Sequence, residues 1–125
     1  QLSQRIKYAT GTYTIPDGTS SLVVPTNLTF VPKTIIVKIF SVKDGSNPSK
    51  TLSAYPCMTG VNQNLRYDNG SYTRVIGNAS IRDVTADSFK IELGKSDFNA
   101  GVEFPFTFYS KTFRWYALDI EFLNN

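Results

Sequence analysis

The chain has 125 residues, of which 41% are hydrophobic, 14% aromatic and 18% charged, with a formal net charge of +3. That length fits one domain spanning residues 1–125, able to bury roughly two-thirds of its unfolded surface without help from disulfides or metal. Histidine is absent and Cys57 is the single cysteine, which removes Ser-His-Asp catalysis, the commonest zinc sites and any internal disulfide.

Basic residues such as Lys33, Lys38, Lys43 and Lys50 fall in different phases and segments. They form no stripe, so a nucleic-acid partner is not expected. No window reaches the ~18 unbroken apolar residues of a membrane span, and no charged-then-apolar leader opens the chain. The one cysteine reads as a small buried apolar residue, because a catalytic thiol needs a base and the usual one is missing.

Period-2 alternation and β-branched or aromatic runs recur along the chain, and no 3.6-residue period persists over a helix length. "IKYATGTYTI" (Ile6 to Ile15) reads as a first strand with Gly11 as a candidate bulge. "PDGTS" (Pro16 to Ser20) is a turn, "SLVV" a second strand, and Leu28 with Phe30 a short strand ending at Pro32. Proline donates no ladder hydrogen bond, so Pro32 marks a corner, and the doubly apolar "KTIIVKIF" after it suits a central strand. Lys38 within that run is expected to reach solvent by its long stem or to face a partner.

"KDGSNPSK" (Lys43 to Lys50) carries loop signals, and "TLSAYPCM" reads as a strand. Thr59 to Tyr72 is the longest polar stretch and contains the Asp68-Asn69-Gly70 turn signal. "TRVIGNASIRDVT" is strand-like with a bend at Gly77-Asn78. "DSFKIEL" alternates cleanly, with Phe89, Ile91 and Leu93 inward and Lys90 and Glu92 outward. "VEFPFTFYS" places Phe104, Phe106 and Phe108 on one phase. "KTFRWYALDIEF" changes its apolar phase after Ala117, which predicts either a bulge or a strand buried on both faces. Seven to nine strands with no substantial helix predict an all-β fold, an antiparallel β-sandwich of jelly-roll or similar layout.

Several of these pieces resemble a known group of proteins. "LTFVPKTIIVKI" (Leu28 to Ile39) resembles the F-x-P-K-x-V-I-V segment of tail and baseplate proteins of bacteriophages that infect Gram-positive bacteria. The "SFKIEL" strand and the closing "FRWYAL", with Trp115-Tyr116-Ala117, fit the same layout, which is also similar to the six-stranded H-type lectin fold. The resemblance covers roughly Tyr8 to Phe122 as a pattern of elements. It implies a non-enzymatic virion domain, extracellular at the host-facing end of a phage tail or in a baseplate, either touching the host or linking other virion proteins. Such a domain would be homo-trimeric, with a host cell-surface saccharide and other virion proteins as partners. It carries over no lectin binding residue, because the sugar-contacting positions of the late strands do not align with this sequence residue by residue.

The residues themselves offer one candidate surface. Asn62, Gln63, Asn64, Arg66, Tyr67, Asp68, Asn69 and Tyr72 gather amides, a carboxylate and flat amphipathic rings that match sugar hydroxyls with donors and acceptors. Arg66 suits an anionic group such as the phosphate of a teichoic-acid-like polymer. The plainer account is that a long loop is polar because it is solvated. Trp115, the single tryptophan, suits stacking on a pyranose face, or else packing in the core or at a subunit contact.

A glycosidase would need two opposed carboxylates, and only Glu103 and Asp119 sit in apolar sequence surroundings. Asp44-x-x-Asn47 and Asp68-Asn69-Gly70 lack a full calcium loop and read as turns, so neither metal nor cofactor is expected. Asn27, Asn69 and Asn78 open glycosylation sequons, which would matter in a secreted lectin-like adhesion domain. A purely structural assembly module is the other alternative.

Overall fold

The computed structural model describes residues 3–16, 18–40, 42, 54–68, 73–95, 104–108 and 111–123. It shows eight strands among them: β1 Ser3–Thr14, β2 Ser21–Pro25, β3 Thr34–Phe40, β4 Ala54–Met58, β5 Gln63–Asp68, β6 Thr73–Arg82, β7 Ser88–Lys95 and β8 Thr112–Leu123. They form two antiparallel four-stranded sheets, β1-β8-β3-β4 and β2-β7-β6-β5, so the chain is an all-β sandwich. No helix among the described residues is long and apolar enough to cross a membrane.

The apolar phase of each strand explains the layering. Ile35, Val37 and Ile39 on β3, Phe113, Trp115 and Ala117 on β8, and Phe89, Ile91 and Leu93 on β7 all point into one shared core. β3 lies between β8 and β4, as the run after Pro32 predicts. Its second apolar face is only half committed, since Ile36 is half-buried and Lys38 is exposed. Pro32 itself is buried, and Lys33 N donates to Leu118 O at 3.1 Å, so the corner delivers the chain directly into the ladder beside β8.

Four local readings change. Gly11 is no bulge, because β1 pairs with β8 in unbroken register from Ser3↔Leu123 to Thr14↔Thr112. It is glycine because the Trp115 indole lies across it: a Cβ there would stand 2.5 Å from the ring's Cζ2. The phase change in β8 likewise occurs without a slip. Its inward set runs Phe113, Trp115, Ala117 and ends at Asp119, while Leu118 faces outward.

Leu28 and Phe30 belong to a loop over one end of the sandwich, held by Leu28 N to Ala86 O at 2.7 Å and shaped by Asn27 at φ 52°. Phe106 and Phe108 fill the core from outside any named strand, joined only by the isolated bridge Val42↔Phe108. Phe104, on the same sequence phase, is exposed. Pro105, lacking a donor, breaks the alternation that suggested a strand there.

Trp115 ties the layers together. Its ring is 5% exposed and meets Phe89 of the opposite sheet edge-on at 6.3 Å, while its flank covers Gly11. Such an aromatic pair contributes about 0.5–1.5 kcal/mol beyond its buried area. Gly11→Ala is expected to destabilise the fold by about 1–3 kcal/mol through overpacking. Phe89→Ala should cost about 3–5 kcal/mol through the cavity it leaves. Urea unfolding followed by Trp115 fluorescence measures both, and an unchanged midpoint for Gly11→Ala would show that the indole moves aside freely.

Candidate functional site

The polar segment from Thr59 to Tyr72 is not one long loop. Val61 N bonds Met58 O at 3.2 Å with Gly60 at φ 82°, which makes a tight turn out of β4. From Gln63 the chain runs as the edge strand β5 of the second sheet. The strand is hard to read in the sequence because its only described buried apolar anchor is Leu65, at 1% exposure.

Alternation then divides the predicted residues between faces. Asn64 is exposed and Arg66 half-buried on the outer face, and exposed Asn62 precedes them on the same phase. Gln63 lies on the inward phase opposite Ala79 and turns its amide back toward Asn64 O at 3.5 Å, so it stands apart. The backbones of Tyr67 and Asp68 continue β5, whereas their side chains, together with Asn69 and Tyr72, lie outside the described residues. Trp115 is in the core between the sheets, on the other sheet from β5, and is not brought to this face.

The ladder adds residues the sequence did not single out. Asn64 pairs with Asn78 on β6, which pairs with Gly94 on β7. The next row inward along β6 is Ser80, Glu92 and Ser21, and the next Arg82, Lys90 and Val23. Continuing the β5 register by one residue sets Asn62 beside Ser80. Neighbouring strands stand about 4.8 Å apart, and same-face rows about 7 Å apart, so the polar side chains among these form a lattice of donors and acceptors, interrupted by Gly94 and by exposed Val23 and Val75.

Two backbone features shape that lattice. The register shifts between Leu65 and Arg66, where Leu65 faces Gly77 and Arg66 faces Val75, leaving Ile76 as the extra residue on β6. The bulge lets Ile76 and Gly77 both turn inward while Val75 and Asn78 stay outside. Gly77 must be glycine, since any Cβ would run into Gly94 O and the Phe106 ring. At Gly94 the missing Cβ leaves room for the Asn78 amide, whose Oδ1 lies 2.7 Å from where that Cβ would stand. The bend expected at Gly77-Asn78 is therefore a bulge inside a continuous strand.

Charge on this face is mixed with a basic excess: Arg66, Arg82 and Lys90 against Glu92. Lys90 Nζ meets Glu92 Oε1 at 3.4 Å, with both side chains substantially exposed, so the pair contributes at most about 1 kcal/mol. Arg82 Nε donates to Ser80 Oγ at 3.1 Å. Among the described residues no group of three or more carboxylates and cysteines gathers to hold a metal.

Elsewhere, Asp119 has one buried carboxylate oxygen without a hydrogen bond, and its ion-pair partner is the exposed Lys33, at 4.0 Å. Glu103 lies outside the described residues, as does the Asp44–Asn47 turn. A scan against protein-family models finds no match for this chain, and a search of curated proteins returns no relative.

Cys57 is fully buried on β4, and burial pushes its thiol up to about 12. An unfolded thiol ionises near its ordinary value of about 8.5. Between those values the native state keeps a proton that the unfolded state loses, so this group's contribution to stability falls as pH rises. The stability difference between the wild type and Cys57→Ala should be constant below pH ~8 and shift against the wild type up to pH ~12. Urea unfolding of both proteins across that range reads it, and parallel profiles throughout would contradict the assignment.

Proposed function

We propose that the chain is a non-enzymatic binding domain for an acidic cell-surface saccharide, carried on the outer face of the β2-β7-β6-β5 sheet. The supporting observation is the cross-strand pair of Asn64 and Asn78, the Asn78 amide lying over Gly94, with Arg66 following Asn64 on the same outer phase. Amides present paired donors and acceptors that match vicinal hydroxyls, and a guanidinium complements phosphate or carboxylate groups along a polymer. The resemblance to phage tail and baseplate proteins gives the setting: a virion domain at the host-facing end of a tail or in a baseplate, for which the resemblance implies three copies. Several weak sites on one particle would prolong residence on a repetitive wall polymer. The described strands number eight where the H-type lectin layout has six, so this reading leans on the polar face and not on strand count.

A second reading, a structural assembly module, is favoured by the opposite surface. The outer face of the β1-β8-β3-β4 sheet sets exposed Tyr8 and Met58 beside half-buried Ile36, Tyr116 and Leu118, an apolar band suited to a neighbouring protein. The two readings are compatible, since they use different faces.

Binding to purified Gram-positive wall polysaccharide, with and without its anionic polymer, tests the first reading. Asn64→Ala with Asn78→Ala, and separately Arg66→Ala with Tyr67→Ala, should each weaken binding about tenfold or more, from the loss of two or so hydrogen bonds. Arg66→Ala should also flatten the salt dependence. Unaltered affinity in both double variants would remove the site, and no saccharide binding at all would leave the assembly reading.

A further inference from the structure

A four-stranded sheet has two edges, and each edge strand offers unpaired N–H and C=O groups to any other chain. Three of the four edges in this sandwich are guarded. On β2, Leu93 N bonds Ser20 O at 2.9 Å, and the alternation from that pair turns the nitrogen of Pro25 outward, where a donor is missing. On β4, Thr59 N bonds Ile35 O at 3.1 Å, and the same alternation turns the nitrogen of Pro56 outward. On β5, the bulge at Leu65/Arg66 interrupts the edge, and Val42 N already occupies Arg66 O at 3.1 Å.

The fourth edge has none of these devices. β1 is 12 residues long, contains no proline and keeps unbroken register with β8. From Tyr8 to Thr14 it carries no charge, and no described residue pairs with its outer side. Ile15 N donates to Lys111 O at 2.8 Å, so Tyr13, Gly11 and Ala9 direct their backbone groups to β8. Thr14 and Thr112 accordingly face each other at a position without ladder bonds between their backbones, and their hydroxyls hydrogen-bond to each other at 3.0 Å. Tyr8, Thr10, Thr12 and Thr14 therefore aim their N–H and C=O groups outward, four donors and four acceptors in a row.

We propose that this edge of β1 pairs with β1 of a second copy, antiparallel about a two-fold axis at Gly11, joining two sheets into one of eight strands. The sequence is self-complementary in that register. Thr10 meets Thr12 and Tyr8 meets Thr14 as hydrogen-bonded pairs, while Ala9 meets Tyr13 and Gly11 meets Gly11 between them. Threonine pairs and aromatic–β-branched pairs are favourable cross-strand neighbours. The first charged residue, Lys7, falls outside the paired stretch, and the two copies of it stand roughly 27 Å apart, beyond a Debye length. A copy of the same chain is thus the occupant whose side chains and charges fit. The inference is independent of the saccharide reading and departs from the three copies that the resemblance implies, because a two-fold edge contact closes at two.

Light scattering on the whole chain decides it. The wild type is expected at twice the 14.0 kDa chain mass. Thr12→Lys should bring it to one chain mass, while Val23→Lys, which places a lysine at an exposed position of the proline-guarded β2 edge, leaves it at two. Trp115 fluorescence confirms a folded core in each variant. As a check that does not depend on a disruptive substitution, an oxidised mixture of Thr10→Cys and Thr12→Cys chains should form the mixed disulfide. Cys57 is buried and does not compete. A wild type of one or three chain masses overturns the proposal. So does a pair that survives Thr12→Lys, or one that Val23→Lys disrupts equally, or absence of the mixed disulfide.

Discussion

The indole of Trp115 resting on Gly11 and reaching Phe89 is the constraint on which the arrangement of layers depends. β8 is the strand shared by β1 and β3, so a large ring at its middle must be accommodated on both sides and across the sandwich. Gly11 supplies the space within the sheet, and Phe89 supplies a matching edge from the opposite one. Removing the side chain at residue 11 is a local concession in strand propensity, offset by the burial of the largest side chain in the protein. The same logic recurs at Gly77 and Gly94, where close approach of backbone, Phe106 and the Asn78 amide excludes a Cβ. Glycines within these strands are thus contact sites, not weak points.

Most of the fold was legible because inward phases are written in period 2. Phe89, Ile91 and Leu93 announce β7 and its facing without ambiguity, and Pro32 announces the corner before β3. β5 was less legible for a physical reason: among its described side chains Leu65 is the one apolar group anchored in the core. Its amide-rich outer phase then reads as solvated loop. β8 misled in the opposite way. Leu118 follows Ala117 because some outward positions on the first sheet, Ile36 and Tyr116 among them, are themselves apolar, and a sequence apolar on both phases looks like a slipped register.

The candidate surface was half legible. Asn62, Asn64 and Arg66 stand on one phase of one segment, so local sequence suffices to find them. Asn78, Ser80 and Glu92 join them only through register across β6 and β7. The alternation of "NASIR", with Ala79 and Ile81 inward, could have marked Asn78, Ser80 and Arg82 as a polar face. No pattern within one strand could have told that this face adjoins Asn64, since that depends on where the bulge sets the pairing.

The contrast between the two outward faces carries the functional argument furthest. Folding demands that inward phases be apolar and asks of outward phases little more than solubility. If solubility alone had shaped them, both faces should be similar mixtures of charge and hydroxyl. Instead one presents Asn64, Asn78, Ser80, Arg82, Lys90 and Glu92, interrupted by exposed Val23 and Val75, and the other gathers Tyr8, Ile36, Met58, Tyr116 and Leu118 into one contiguous band beside Thr10, Thr12, Arg114 and Lys38. Leaving large apolar groups in partial contact with water costs free energy that a single copy in solution never recovers. A polar lattice on one side and an apolar band on the other fit the proposal of a domain held by protein on one face and open to a hydroxyl-rich polymer on the other. The unguarded β1 edge borders the apolar face, so pairing there would extend the held side and leave the polar side open.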